Sequence, residues 1–339
     1  MLSKRSVSIA AAAALTAGVA ATATATSASA EDSMCQTTTG SKDFYDGPSA
    51  SATYDKTFHN SVVVPKGLYS AGYIPQGLAY WNNWNGTSED VLLISAYKDD
   101  AAAIWGVVLN GSRRGQSLGH MNIPKTHAGG IAIVGGYVYV SGGTTYKGNK
   151  VDVLYWSASK VRKALAGPNG GTVAPNGYQN LAGAGSFLGK GGGAGTTLWT
   201  GTHDENKHSS MWQYKPSSTG KLTYTGKKRW VPAKTQGMTV VGDKYVFATS
   251  LGRNDRSNVW VRPSSYTGDI TDGTSFCMRA PSMIEGLAYG NSDGNKHVWA
   301  IYESGANTYA NAWDKPRNIV KHIHWAGGSA LAGLYGQGD

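Results

Sequence analysis

The chain is predicted to fold as an all-β protein, a β-propeller of four-stranded blades, and three observations carry that expectation. Helical periodicity is nearly absent from its 339 residues. Short runs rich in Val, Ile, Tyr, Trp and Thr alternate with Gly, Asn-Gly, Asp-Gly and Pro, the pattern of antiparallel strands joined by tight turns. The chain also aligns with itself at a period of about 50 residues, as radial repetition of blades requires.

Five repeats are visible. Their first strands recur as Gln76-Gly77-Leu78-Ala79-Tyr80, Gly129-Gly130-Ile131-Ala132-Ile133, Gly185-Ser186-Phe187-Leu188, Gln236-Gly237-Met238-Thr239-Val240 and Glu285-Gly286-Leu287-Ala288-Tyr289. Counted from Gly77, Gly130, Gly185, Gly237 and Gly286, the spacings are 53, 55, 52 and 49 residues, with the third repeat the weakest match. Innermost strands converge on a central channel, and Gly at their heads lets backbones come close. Second strands follow at residues 90–97, 137–142, 196–201, 244–250 and 297–304. Third strands carry Trp105, Trp156, Trp212 and Trp260, whose rings fill the widening gap between blades. The count allows five to seven blades. One short helix is expected over residues 157–165, capped by Ser157 or Ser159.

The ends of the chain complete this plan. Residues 1–30 read as a cleaved secretory signal peptide, with a basic start at Lys4 and Arg5, an apolar stretch and an Ala-x-Ala end ahead of Glu31. Residues 31–73 form an N-terminal segment whose Ser61-Val62-Val63-Val64 run supplies a strand to close the ring, and residues 74–339 hold the repeats. No later segment reaches the roughly 18 apolar residues of a membrane helix. The expected location is extracellular or at the cell wall. In that oxidising compartment the only two cysteines, Cys35 and Cys277, are expected to form one disulfide across 242 residues, locking the closure.

The 31 basic and 21 acidic residues give +10, which becomes +8 once Lys4 and Arg5 are removed. Dispersed positive charge serves solubility and attracts anionic surfaces such as cell-wall polymers. An exported protein with scattered charge is not expected to bind nucleic acid.

Familiar catalytic signatures are missing: there is no His-Glu-x-x-His, no complete Gly-x-Ser-x-Gly, no EF-hand loop and no Cys-x-x-Cys. Gly189-Lys190, within the run 183–195, brushes against a phosphate loop, but Gly191 stands where Ser or Thr belongs and a strand follows. His322 and His324 alternate on one strand with no third ligand nearby, which reads as a surface pair and not a metal site. The loop from His203 to His208 is the most polar in the chain. The most informative polar set is Gln76, His127, Gln236 and Glu285, each at or near the start of an innermost strand and so facing one mouth of the channel. Propeller lactonases and esterases gather carboxylates and amides around an axial calcium in such a place. With Glu285 as its one acid this set is short of anionic oxygen for calcium, and hydrogen bonding around the mouth is its expected role. No metal site and no cofactor are expected.

With the signal peptide, Cys35-Gln36, Tyr45-Asp46-Gly47-Pro48, Tyr73-Ile74-Pro75-Gln76-Gly77-Leu78 and the Trp-bearing blades in view, the whole mature chain resembles the dispase autolysis-inducing proteins, secreted propellers of actinomycetes. That family is described as seven-bladed, whereas five repeats are counted here. The resemblance implies a non-enzymatic interaction protein whose partners are an extracellular thermolysin-like metalloprotease, made to autolyse, and a transglutaminase that cross-links it. Reactive glutamines belong on mobile chain ends. Gln36 and Gln337 are the expected cross-linking sites. Two alternatives are a calcium-dependent hydrolase using Gln76, Gln236 and Glu285, and a carbohydrate-binding lectin using exposed Trp81 and Trp84.

Overall fold

The computed structural model describes residues 34–86, 88–181, 185–192, 195–270 and 274–336. The expected signal peptide and Gln337 lie outside the described residues. Five antiparallel sheets of four strands form a five-bladed propeller. The first blade holds β2 (Ile74–Trp81), β3 (Val91–Lys98), β4 (Ala101–Val108) and β5 (Ser117–Ile123). The second holds β6 (Ile131–Val134), β7 (Tyr137–Tyr146), β8 (Asn149–Ser157) and β9 (Gly177–Gln179), and the third β10 (Phe187–Lys190), β11 (Leu198–Gly201), β12 (Ser209–Pro216) and β13 (Leu222–Val231). The fourth comprises β14 (Thr235–Val241), β15 (Lys244–Thr249), β16 (Ser257–Pro263) and β17 (Phe276–Ala280). The fifth takes β18 (Ile284–Ser292), β19 (Asn295–Tyr302) and β20 (His322–Gly327) from the end of the chain and its outermost strand, β1 (Phe58–Val63), from the start. The ring is thus closed by N-terminal residues, as expected.

Turn chemistry is written in the hairpins. Gly135-Gly136, Lys147-Gly148 and Asp293-Gly294 each have two consecutive residues at positive φ, the requirement of a two-residue type I′ turn. Packing follows the blade plan. Buried Trp156 lies in a cluster with Ala102, Ile104 and Met121 of the preceding blade, and Trp260 packs with Phe187 and Trp199 of its preceding blade. Trp105 packs with Ile323 of the fifth. Close approach of the inner strands explains their glycines: a Cβ on Gly286 would lie 2.4 Å from the Leu78 amide nitrogen.

One register differs from the sequence alignment. A Cβ on Gly130 would meet the Leu188 nitrogen and Phe187 carbonyl carbon, so the third blade's counterpart of Gly77 is Phe187, two residues beyond Gly185. Phe187 is tolerated there because its ring is buried in the apolar gap toward the fourth blade, with Met238 and Trp260. Helix is also less rare than expected. Besides α3 (Ala158–Leu165), capped by Ser157, short helices α1 (Ala52–Thr57), α2 (Lys66–Ser70), α4 (Asn307–Ala310) and α5 (Gly328–Gly333) occur. Ser51 caps α1 by accepting from the Tyr54 amide at 3.2 Å. No helix among the described residues is long and apolar enough to cross a membrane.

The disulfide Cys35–Cys277 is present. It ties the N-terminal segment to β17, in the fourth blade, not to the fifth blade where the ring closes. Gln36 is consequently held: its amide donates to the Cys277 carbonyl at 2.9 Å, and its carbonyl accepts from the Arg279 amide at 3.1 Å. Its side-chain Oε1 accepts from Thr53 Oγ1 at 2.6 Å. The expectation that Gln36 lies on a mobile run therefore does not hold.

The expected surface pair His322 and His324 is also corrected. His322 is partly exposed, but His324 is fully buried, where Nδ1 meets the Tyr54 hydroxyl at 2.7 Å and that hydroxyl also bonds Tyr302. Burial, with smaller contributions from His322 and His59, pushes His324 down from 6.5 to about 3. A lowered histidine stabilises the fold fully above its unfolded value, and that contribution is lost as pH falls from 6.5 toward 3. We expect the urea midpoint to drop over this window, and to drop less steeply in His324→Gln; parallel pH profiles would contradict the assignment.

Candidate functional site

The inner strands begin with a shared irregularity. Strand pairing skips at Pro75/Gly77 in β2, Thr235/Gly237 in β14 and Ile284/Leu287 in β18. The residues extruded are Gln76, Gln236 and Glu285. A β-bulge re-aims a side chain that regular pleating would send between the blades, and all three stand at the same end of the inner strands. In the second blade Gly129 occupies the equivalent place, where a Cβ would sit 2.1 Å from the Ser186 carbonyl oxygen, and His127 enters from two residues earlier.

The structure adds residues the sequence reading did not single out. Glu303 follows β19 directly, and its amide donates to the Met283 carbonyl at 3.0 Å, which brings it beside Glu285. Gln76 Nε2 donates to Glu303 Oε1 and to its neighbour's carbonyl, Pro75, at 3.1 Å. Tyr97, near the end of β3, lies with its ring 4.5 Å from that of His127. Tyr309 of α4 hydrogen-bonds Tyr97 and lies under the Arg253 guanidinium, 4.9 Å from the ring centroid. Arg253 is in turn anchored to Asp314 at 2.5 Å. His203, after β11, approaches the Thr235 carbonyl with Nδ1 at 3.4 Å.

The backbone around this mouth is fixed by buried hydroxyls. Ser95 Oγ accepts from the Gly77 amide at 3.1 Å and donates to the Ala128 carbonyl at 2.8 Å. Ser257 Oγ accepts from the Ile284 amide at 3.1 Å. The polar side chains thus stand on a rigid rim.

Electrostatics single out the carboxyl pair. Glu285 is 3% exposed, and burial followed by the repulsion of Glu303 pushes it well above the ordinary carboxyl range. Burial also raises Glu303 to about 7, against the opposing hydrogen bond from Gln76 and the charge of Arg253. Burial and the carboxyl charge of Glu303 raise Tyr309 as well. His127 keeps an exposed edge, yet the protein crowded around it, and secondarily His203, lower it below the usual histidine range.

Of the sequence-predicted set, Gln76 and Glu285 are joined through Glu303, a residue that had not been named, and His127 lies beside Tyr97, while Gln236 opens β14 at the same end of the inner strands. Glu303 was legible in principle: it directly follows the second strand of a repeat, beside the strand that opens with Glu285. Tyr309 and Arg253 carried no such signal. Trp81 and Trp84, proposed as exposed sugar platforms, are 7% and 2% exposed and pack edge to face inside the first blade. Among the described residues no three His, Cys, Asp or Glu side chains form a group that could hold a metal.

No family model and no curated protein matches the chain. Similar solved structures include the PQQ-bound aldose sugar dehydrogenase from Streptomyces coelicolor, 12% identical, covering 80% of this chain and 97% of that one with a TM-score of 0.43. A GH43_1 enzyme from Xanthomonas citri complexed with xylose is 9% identical, covering 80% and 91% with a TM-score of 0.44. RS223 beta-xylosidase is 8% identical, covering 76% and 93% with a TM-score of 0.42. Likenesses this distant carry no functional argument, and the reading below rests on the side chains.

Proposed function

We propose that the channel mouth is the active site of a hydrolase acting on a neutral ester or lactone by general acid–base catalysis, with Glu303 as the proton-transferring group. The observation that supports this reading is the Glu285 and Glu303 pair. Placing two carboxyl groups together out of water costs stability and is seldom favoured by folding alone. Titratable groups shifted by desolvation and by each other at the mouth of a channel are a mark of acid–base sites. Near neutral pH Glu303 is present in both protonation states, the condition for efficient proton transfer.

In this reading the Glu303 carboxylate takes a proton from water as the water oxygen bonds to the substrate carbonyl carbon. It returns that proton to the leaving oxygen as the acyl–oxygen bond breaks. Gln76 holds the Glu303 carboxyl in place, burial keeps that carboxyl's pKa high, and the Glu303 charge in turn holds buried Glu285 protonated. The Tyr97 and Tyr309 hydroxyls supply donors for the developing oxyanion. An exported location fits the disulfide.

The test is a panel of neutral esters and lactones assayed from pH 5 to 9. Turnover with a pH limb near 7 is the expected result. No turnover, or a rate without that limb, overturns the assignment. A second reading, the non-enzymatic partner of an extracellular metalloprotease implied by the resemblance, is favoured by Trp313. This indole is 97% exposed, close to Lys315 and Arg317, and exposed Trp and Arg are the residue types that anchor protein interfaces.

A further inference from the structure

The inner strands all start at the carboxyl mouth, so their far ends meet on the opposite face. There a small hollow of about 10 Å³ among Leu78, Ile131 and Leu287 has room for about one water. The hollows of the far face have none of Gln76, His127, Glu285 and Glu303 in their lining.

The far face holds a cavity of about 520 Å³, with Lys190 at the end of β10 and Lys296 on β19. Asn82, Asn291 and Thr239 add hydroxyl- and carbonyl-bonding groups, and Tyr289 adds a flat ring. An adjoining depression of about 220 Å³ shares Gly192, Val240 and Gly242 with it and brings in Lys227 and Arg229. Neither lining contains Asp or Glu. Among the described residues none of these four cations makes an ion pair. Burial lowers the Lys190 ammonium, with no anion nearby to offset it, although part of its side chain reaches solvent. Arg229 Nε is buried without a hydrogen-bond partner.

Four cations without counter-ions, set along two connected hollows, are unfavourable until an anion arrives. Lysine acts as a point charge toward phosphate and arginine offers a planar fork. We propose that this face binds a linear polyol phosphate, one phosphate between Lys190 and Lys296 and another against Lys227 and Arg229, with the amides and Thr239 meeting the polyol hydroxyls. The positive net charge of the chain favours the approach of such a polymer.

Calorimetric titration with a synthetic glycerol phosphate oligomer tests it, with an oligogalacturonate as the carboxylate alternative and oligoglycerol as the uncharged control. The expected result is binding of the phosphate oligomer that weakens with salt, and a loss of about tenfold in affinity in each of Lys190→Gln/Lys296→Gln and Lys227→Gln/Arg229→Gln, with a shallower salt slope. Failure of the phosphate oligomer to bind, unchanged affinity in both double variants, or preference for the oligogalacturonate would overturn the proposal.

Discussion

Replacing Glu303 with Gln is expected to lower turnover at the channel mouth by about 10²- to 10⁴-fold, the usual worth of a positioned proton-transferring group. The fold should not suffer. A glutamine keeps the acceptor that Gln76 Nε2 reaches and removes a carboxylate from a desolvated place. The sign of the pH effect follows from the raised pKa. A carboxyl raised from 4.5 to about 7 contributes stability that is fully present below 4.5 and is lost as pH rises through 7. Above pH 7 the variant is therefore expected to match or exceed the wild type in its urea midpoint. A variant that loses activity and stability together would indicate a structural role, and one that keeps full activity would remove Glu303 from the mechanism.

Breaking the Cys35–Cys277 bond is expected to destabilise the molecule strongly. The bridge closes a loop of 242 residues, for which chain entropy sets an upper figure of roughly 5 kcal/mol; about 2–5 kcal/mol is the usual loss. Both cysteines are buried with Trp260 and Phe187, so the double Cys→Ala variant also loses packing. The local consequence is release of the segment that pairs Gln36 with β17. We propose that transglutaminase labelling of Gln36 rises on reduction, because its backbone and Oε1 are then free to enter an enzyme cleft. Equal unfolding midpoints with and without reductant would show that the bridge adds nothing, and unchanged labelling would show that the pairing with β17 holds without it.

Much of the architecture was legible in the residues. Gly77, Gly237 and Gly286 mark the inner strands because backbones converge there, and Asp293-Gly294 and Gly135-Gly136 mark hairpins because type I′ turns need positive φ. The third blade misled the alignment because Phe187 takes the glycine place, a substitution permitted only by a gap toward the fourth blade that no local pattern reports. The polar mouth was half visible. Gln76, Gln236 and Glu285 follow the strand repeat, but Glu303 lies just beyond a strand and Tyr309 sits on a four-residue helix between two strands. Their arrival depends on how the loop between β19 and β20 folds back. His324 looked exposed because strand alternation alone cannot show that α1 brings Tyr54 over it.

The central claim is that Glu285 and Glu303 form one desolvated pair at the channel mouth, in which the Glu303 charge holds Glu285 protonated. Its most direct test is a carboxyl-carbon NMR titration of glutamate-labelled protein, assigned with Glu285→Gln and Glu303→Gln. The expected result is that Glu303 titrates near 7, that Glu285 stays protonated above the ordinary carboxyl range, and that Glu303→Gln lets Glu285 fall. Two carboxyls that both titrate near 4.5, with Glu285 indifferent to loss of Glu303, would contradict it.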